Sequence, residues 1–169
     1  FPNFESKDAK QSFTIPQHFK LKGKKIHFPK FKEGIKVKEH RKLEGKFVVA
    51  TLSRTATNKY YISIVVEKDI NPTSLTDKTV GIDLGIKDLI TCSDGKKYQN
   101  IKSLSSLENK LKYKQKQLSK KTKGSNNRKK ARYKVAIIHE KIKNTRNDYI
   151  HKITKAIVNE NQVIIAEDL

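Results

Sequence analysis

Asp83 lies in Thr79-Val80-Gly81-Ile82-Asp83-Leu84-Gly85, where Val80, Ile82 and Leu84 alternate with Gly81, Asp83 and Gly85. That alternation has the period of a strand. Aspartate is depleted in strands, and a carboxylate on a core strand is costly without a partner. The glycines on its face leave open space for a metal, a phosphate or a water. The plainer reading is a strand-end aspartate that caps the next turn, and an isolated Asp-x-Gly does not separate the two. A second acid does more. Glu167 follows the apolar run Val163-Ile164-Ile165-Ala166. If that run lies beside 79–84, Glu167 comes near Asp83. Two carboxylates on neighbouring strands repel unless a cation lies between them or one is protonated. Mg²⁺ is held by one or two carboxylates with phosphate and water oxygens. Two such ions about 4 Å apart can activate a water and stabilise the leaving oxygen of a phosphodiester.

The flanking patterns supply the elements that would hold these acids. Strands are expected at roughly 79–84, 88–93 and 96–99, with Ser93-Asp94-Gly95 as the turn between the last two. Asp94 is thereby a turn residue, and Asp88 has a structural place at the start of the second strand. Residues 102–122 change to helical spacing, with Leu104, Leu107, Leu111 and Leu118 on one face. Lys123-Gly124-Ser125-Asn126-Asn127 breaks that helix. A second helix runs to about 160 with the stripe Val135, Ile138, Ile142, Tyr149, Ile153 and Ile157. At 1.5 Å per residue it is a rod of roughly 50 Å. Two facing stripes and a short loop predict an antiparallel helical hairpin over 102–160. Val163–Leu169 then reads as a strand buried on both sides. Returning from a helical crossover, it should run parallel to an earlier strand.

Residues 1–70 read differently. Short strand-like patches at 11–15, 25–28 and 35–38 are punctuated by Pro16 and Pro29. Phe1, Phe4, Phe13, Phe19, Phe28 and Phe31 sit among lysines. They could stack on bases, but aromatics dominate small β cores, and most are expected inside. Residues 46–67 form the clearest hairpin, with Asn58 suited to positive φ in the turn. Apolar residues on both faces of these strands suggest burial between layers or closure into a barrel, and a small antiparallel β-barrel is expected. Residues 71–78 have linker composition, so 79–169 forms a second domain.

The chain of 169 residues carries 38 Lys+Arg against 17 Asp+Glu, a net charge of +21. Residues 102–155 alone hold 18 of the bases and 3 of the acids. Compensating acids at i+4 are missing, so a phosphate backbone is expected against this hairpin. Lysine outweighs arginine without aromatic interleaving, which favours backbone contact over base reading. Lys112, Lys116, Lys120, Lys121, Lys123, Arg128, Lys129, Lys130 and Arg132 are the candidate nucleic-acid contacts. No apolar run approaches a membrane span. A single cysteine, Cys92, excludes an internal disulfide and fits an intracellular protein; it reads as a small core residue, with a reactive thiol as the lesser alternative. With no methionine and a strand that stops just after its acids, the chain is expected to be a piece of a longer protein.

Val80-Gly81-Ile82-Asp83-Leu84-Gly85-Ile86-Lys87-Asp88, the Ser93-Asp94-Gly95 turn, Lys123-Gly124-Ser125 with Arg128–Arg132, and Ile165-Ala166-Glu167-Asp168-Leu169 together resemble TnpB (OrfB) proteins of bacterial insertion sequences. Gln11-Ser12-Phe13 and Leu43–Glu67 resemble that family's wedge region. The resemblance implies an α+β chain: a wedge-like β-barrel, then the first part of an RNase H-like (RuvC) mixed sheet with its basic helical hairpin. Asp83 and Glu167 would match the first and second catalytic acids and bind Mg²⁺ or Mn²⁺. The partners would be a guide RNA and a target DNA, with no membrane, in the cytoplasm of a prokaryote and associated with the nucleoid. The family's third catalytic Asp and its zinc ribbon would lie beyond Leu169, so no zinc is expected here and the chain alone should cleave little or nothing. Two rivals stand beside the RNA-guided endonuclease. An actin-like ATPase also opens with Ile-Asp-Leu-Gly, but Ile86-Lys87 replaces its small hydroxyl residues. A non-catalytic basic RNA- or DNA-binding module needs only the barrel and the hairpin.

Overall fold

The computed structural model describes residues 11–29, 31, 33–69, 76–101 and 104–167. The fold is α+β and divides into two compact units, Phe1–Asn71 and Pro72–Leu169. In the first, β1 (Ser12–Ile15), β5 (Lys46–Arg54) and β6 (Tyr60–Glu67) form one antiparallel sheet. β2 (Lys20–Lys22), β3 (Lys25–His27) and β4 (Ile35–Lys36) form another. Among the described residues no hydrogen-bonded ladder joins the two sheets. They share a core of Phe19, Ile26, Phe28 and Ala50, onto which Ile15, Phe47, Leu52 and Ile64 pack. Phe19 stacks on Phe47 with centroids 6.0 Å apart. Phe13 and Phe31 are exposed, and Phe1 and Phe4 lie outside the described residues, so the phenylalanines divide between core and surface. The β5–β6 turn forms as expected: Asn58 takes φ 59°, and Arg54 donates to its Oδ1 at 2.7 Å.

In the second unit, β7 (Thr79–Leu84), β8 (Asp88–Cys92) and β9 (Lys97–Gln99) make an antiparallel meander. Gly95 closes the second turn at φ 87°, and Asp94 Oδ1 accepts from the Lys96 N–H there. α1 (Leu104–Ser119) and α2 (Asn126–Glu160) follow, and β10 (Val163–Ala166) returns parallel to β7. α2 has 35 residues and α1 only 16, so one apolar stripe on α2 runs on past the end of its partner helix. Its Ile153 and Ile157 pack on Val80 and Cys92 from the sheet, with Ile82, Ile90, Tyr98 and Tyr149 around them. Truncating Ile153 or Ile157 would therefore strip the sheet of its cover, at about 2–5 kcal/mol each. Tyr149 Oη donates to the Gln99 carbonyl, and Lys96 bonds Glu160 at the far end of α2. Together these fix the helix across the meander.

β10 departs from expectation. It is an edge strand with β7 as its neighbour, and Val163 and Ile165 are 48% and 60% exposed. Four apolar residues in a row announced burial on both faces, but among the described residues β10 is covered by neither a second strand nor a layer over Val163 and Ile165.

The two glycines flanking Asp83 also have separate reasons. A Cβ on Gly81 would meet Ser93 Cβ and Oγ at 3.6 and 3.7 Å, an ordinary contact. A Cβ on Gly85 would come within 2.8 Å of the Asp88 carbonyl oxygen. Gly85 thus serves the tight β7–β8 turn rather than open space at the carboxylate. Gly85→Ala should lower stability by about 1–3 kcal/mol through forced backbone movement, whereas Gly81→Ala should stay within about 0.5 kcal/mol. Thermal unfolding followed by circular dichroism compares them; equal effects would contradict this assignment.

Candidate metal centre and nucleic-acid interface

β7 splits its residues between two faces because strand side chains alternate. Val80 and Ile82 go to α2. Gly81 and Asp83 take the opposite face. On β8, Thr91 is the cross-strand partner of Asp83. Ser93 continues the ladder: its N–H donates to the Gly81 carbonyl, and its Oγ accepts from the Gly81 N–H, each at 2.9 Å. On the other side, Ala166 is level with Ile82 in the parallel ladder. The next step along both strands brings Glu167 level with Asp83.

Asp83 and Glu167 line one open depression of about 460 Å³, together with Gly81, Thr91, Ser93 and Ile165. Both are solvent-exposed. The sequence-derived pair is thus brought to one place by the parallel return of β10. The hydroxyl residues Thr91 and Ser93 belong to the same lining, a feature the strand pattern did not single out. Two carboxylates with nearby hydroxyls suit a hard cation that completes its shell with water or phosphate oxygens. Among the described residues no group of three or more His, Cys, Asp or Glu is placed to hold a metal ion. Cys92 also borders this depression. Burial, then the Asp94 carboxylate, push its thiol up, so it is a core residue and a poor nucleophile.

The hairpin carries the candidate basic residues. Lys112 and Lys116 lie on α1, Lys120, Lys121 and Lys123 in the loop, and Lys129, Lys130 and Arg132 in the first turns of α2; all are exposed. Arg128 differs. Its Nη1 donates to the carbonyls of Leu118 and Lys121 at 3.2 and 2.9 Å. Those carbonyls belong to the last turn of α1 and the residues just after it, where helical acceptors lack partners and a cation is favoured. Ser125 caps α2 by accepting from the Arg128 N–H at 3.1 Å. Arg128 therefore ties both helix ends into one turn. Arg128→Ala should cost about 1–3 kcal/mol and raise amide exchange in residues 118–125. Unchanged exchange there would remove this role. Lys114 is half-buried, and its Nζ donates to Gln117 Oε1 at 3.1 Å.

Comparison with known proteins bears on this arrangement. Residues 62–169 match the OrfB_IS605 family, described as "Probable transposase". The chain belongs to this family. It is 34% identical over 172 residues to the "Putative RNA-guided DNA endonuclease InsQ" of Escherichia coli (strain K12), covering 100% of this chain and 42% of that protein. It is 42% identical over 119 residues to a "Putative RNA-guided DNA endonuclease" of Streptomyces pristinaespiralis, covering 70% of this chain and 30% of that one. The TnpB/OrfB assignment read from Asp83, the Ser93–Gly95 turn and the hairpin motifs holds. The chain spans less than half the length of these relatives. No helix among the described residues is long and apolar enough to cross a membrane.

Proposed function

We propose that this chain is the wedge-like and first RuvC-like part of a transposon-associated, RNA-guided DNA endonuclease. The single observation that carries the reading is the shared depression of Asp83 and Glu167, in a family member whose adjoining hairpin is densely basic. On this reading the sheet β10-β7-β8-β9 is the start of an RNase H-like mixed sheet, and the two small sheets of the first unit are walls of a wedge-like barrel. Guide RNA and target DNA are the partners, as the names of the two relatives suggest for those proteins.

Asp83 and Glu167 would hold Mg²⁺ or Mn²⁺. The ion would supply a nucleophilic water and neutralise charge on the scissile phosphodiester. The chain's own residues do the rest. The parallel ladder holds the two carboxylates on one face. The Gly81–Ser93 bonds keep β8 in register with Asp83. The exposed lysines of the hairpin hold a phosphate backbone close by.

The dense exposed basic residues of the hairpin also support a second reading for this chain taken alone: a basic RNA- or DNA-binding module with little or no cleavage. A third acid from the rest of the protein would separate the module from the nuclease. Mn²⁺ titration followed by electron paramagnetic resonance tests the proposal. The full-length protein should bind Mn²⁺, and Asp83→Asn and Glu167→Gln should each weaken it by about tenfold or more. Unchanged Mn²⁺ affinity in both variants would remove the two acids from the site.

A further inference from the structure

A second recess of about 640 Å³ opens where the sheet meets α1 and the middle of α2. Its lining includes the apolar Leu89, Ile101, Leu104 and Ile150, the polar Ser105, and two charged residues, Glu108 from α1 and Arg146 from α2. Among the described residues neither charge has a hydrogen-bonded or ion-paired partner. Asn100 also lines the recess, but both ends of its amide are used: Nδ2 donates to the Ile86 carbonyl at 3.1 Å and Oδ1 accepts from the Ile101 N–H at 2.8 Å. It shapes the wall and ties it to the loop that follows the Asp83 strand.

An acid here is unexpected. The hairpin is built to attract a polyanion, and Glu108 is one of three acids among its residues 102–155. A carboxylate at such a surface repels phosphate. It becomes favourable when the ligand brings N–H donors to it. Among the nucleobases, guanine alone presents two adjacent N–H donors on its Watson–Crick edge. Its other polar edge offers two acceptors of the kind that arginine takes up bidentately. Adenine and cytosine would set a ring acceptor against the carboxylate, and uracil has one donor. The apolar walls suit the faces of a flat ring.

We propose that this recess takes the base of an unpaired guanine in a single strand lying along the hairpin, with Glu108 accepting from its paired donors and Arg146 donating to its acceptor edge. The proposal rests on the reading of the hairpin as a nucleic-acid interface. It adds base selectivity to a surface expected to touch only phosphates.

Fluorescence anisotropy with the full chain tests it. The probes are an oligouridine strand, the same strand with one central guanosine, and the same with inosine, which lacks one donor; each is made in ribo and deoxy form. The guanosine strand should bind roughly fivefold more tightly than the inosine strand, in at least one sugar form. Glu108→Gln should abolish that ratio, while affinity for plain oligouridine stays level or rises as a negative charge is lost. Equal binding of guanosine and inosine strands in both sugars overturns the proposal. Failure of oligouridine itself to bind would instead count against the hairpin reading. Methyl NMR of Leu104 and Ile150 during titration with guanosine monophosphate then examines the recess independently. Shifts that vanish in Glu108→Gln would support it, and no shifts would overturn it.

Discussion

Asp83→Ala in the full-length protein is expected to lower DNA cleavage by roughly a hundred- to a thousandfold or more and to leave guide-RNA affinity within about twofold. The split follows from where the residue sits. Asp83 is on the sheet face turned away from α2, in the depression it shares with Glu167, and the exposed lysines of the hairpin lie on other elements. On the proposed reading, removing one carboxylate would weaken the hold on a cation but leave the cationic surface untouched. Glu167→Ala should match it, and the double variant should be little worse than either single one, because groups that act as a unit are non-additive. Cleavage within a few fold of wild type in either single variant would end the nuclease assignment of that residue. A parallel loss of RNA affinity would point to disrupted folding, which circular dichroism would reveal.

Binding of single-stranded RNA by this chain should collapse with salt. If Lys112, Lys116, Lys120, Lys121, Lys123, Lys129, Lys130 and Arg132 each neutralise one phosphate, the log–log slope is about −5 to −6. A fourfold rise in salt then weakens binding by roughly a thousandfold. Replacing Lys120, Lys121, Lys123, Lys129 and Lys130 with alanine should flatten the slope by about three to four units. Arg128→Ala behaves differently, because its guanidinium is already bonded to the carbonyls of Leu118 and Lys121. It should change the slope by less than one unit while loosening the turn. A slope near zero for the unaltered chain would remove the electrostatic basis of the interface.

The second unit was the more legible half. Val80, Ile82 and Leu84 alternate cleanly, Asp94-Gly95 marks its turn, and the leucine and isoleucine stripes separate two helices. Each is a local signal with a single period. The parallel direction of β10 followed from topology, since a strand reached through a helical crossover returns in the same direction; its register beside β7 came from the structure. What stayed hidden depends on contacts between distant segments. Apolar composition said that Val163–Ala166 could be buried but not which faces would be covered. Gly85 resembled a site residue until the Asp88 carbonyl stood against it. Arg128 had the composition of a nucleic-acid contact, and only the carbonyls ending α1 reveal its other task. β2 is three residues of alternating Lys and Leu, too short for its period to register. Glu108 and Arg146 come from different helices, and no spacing rule links them.

The ladder between β7 and β10 has one more implication, for the order in which the chain acquires its parts. The β7–β9 meander and the α1–α2 pair are closed by short connections and can form early. The β7–β10 pairing must span the whole hairpin, so its loop-closure entropy falls due last. A nascent or partly denatured molecule would then present its full cationic rod before Asp83 and Glu167 have met. On the proposed reading, it would be able to capture nucleic acid before its two acids share one face.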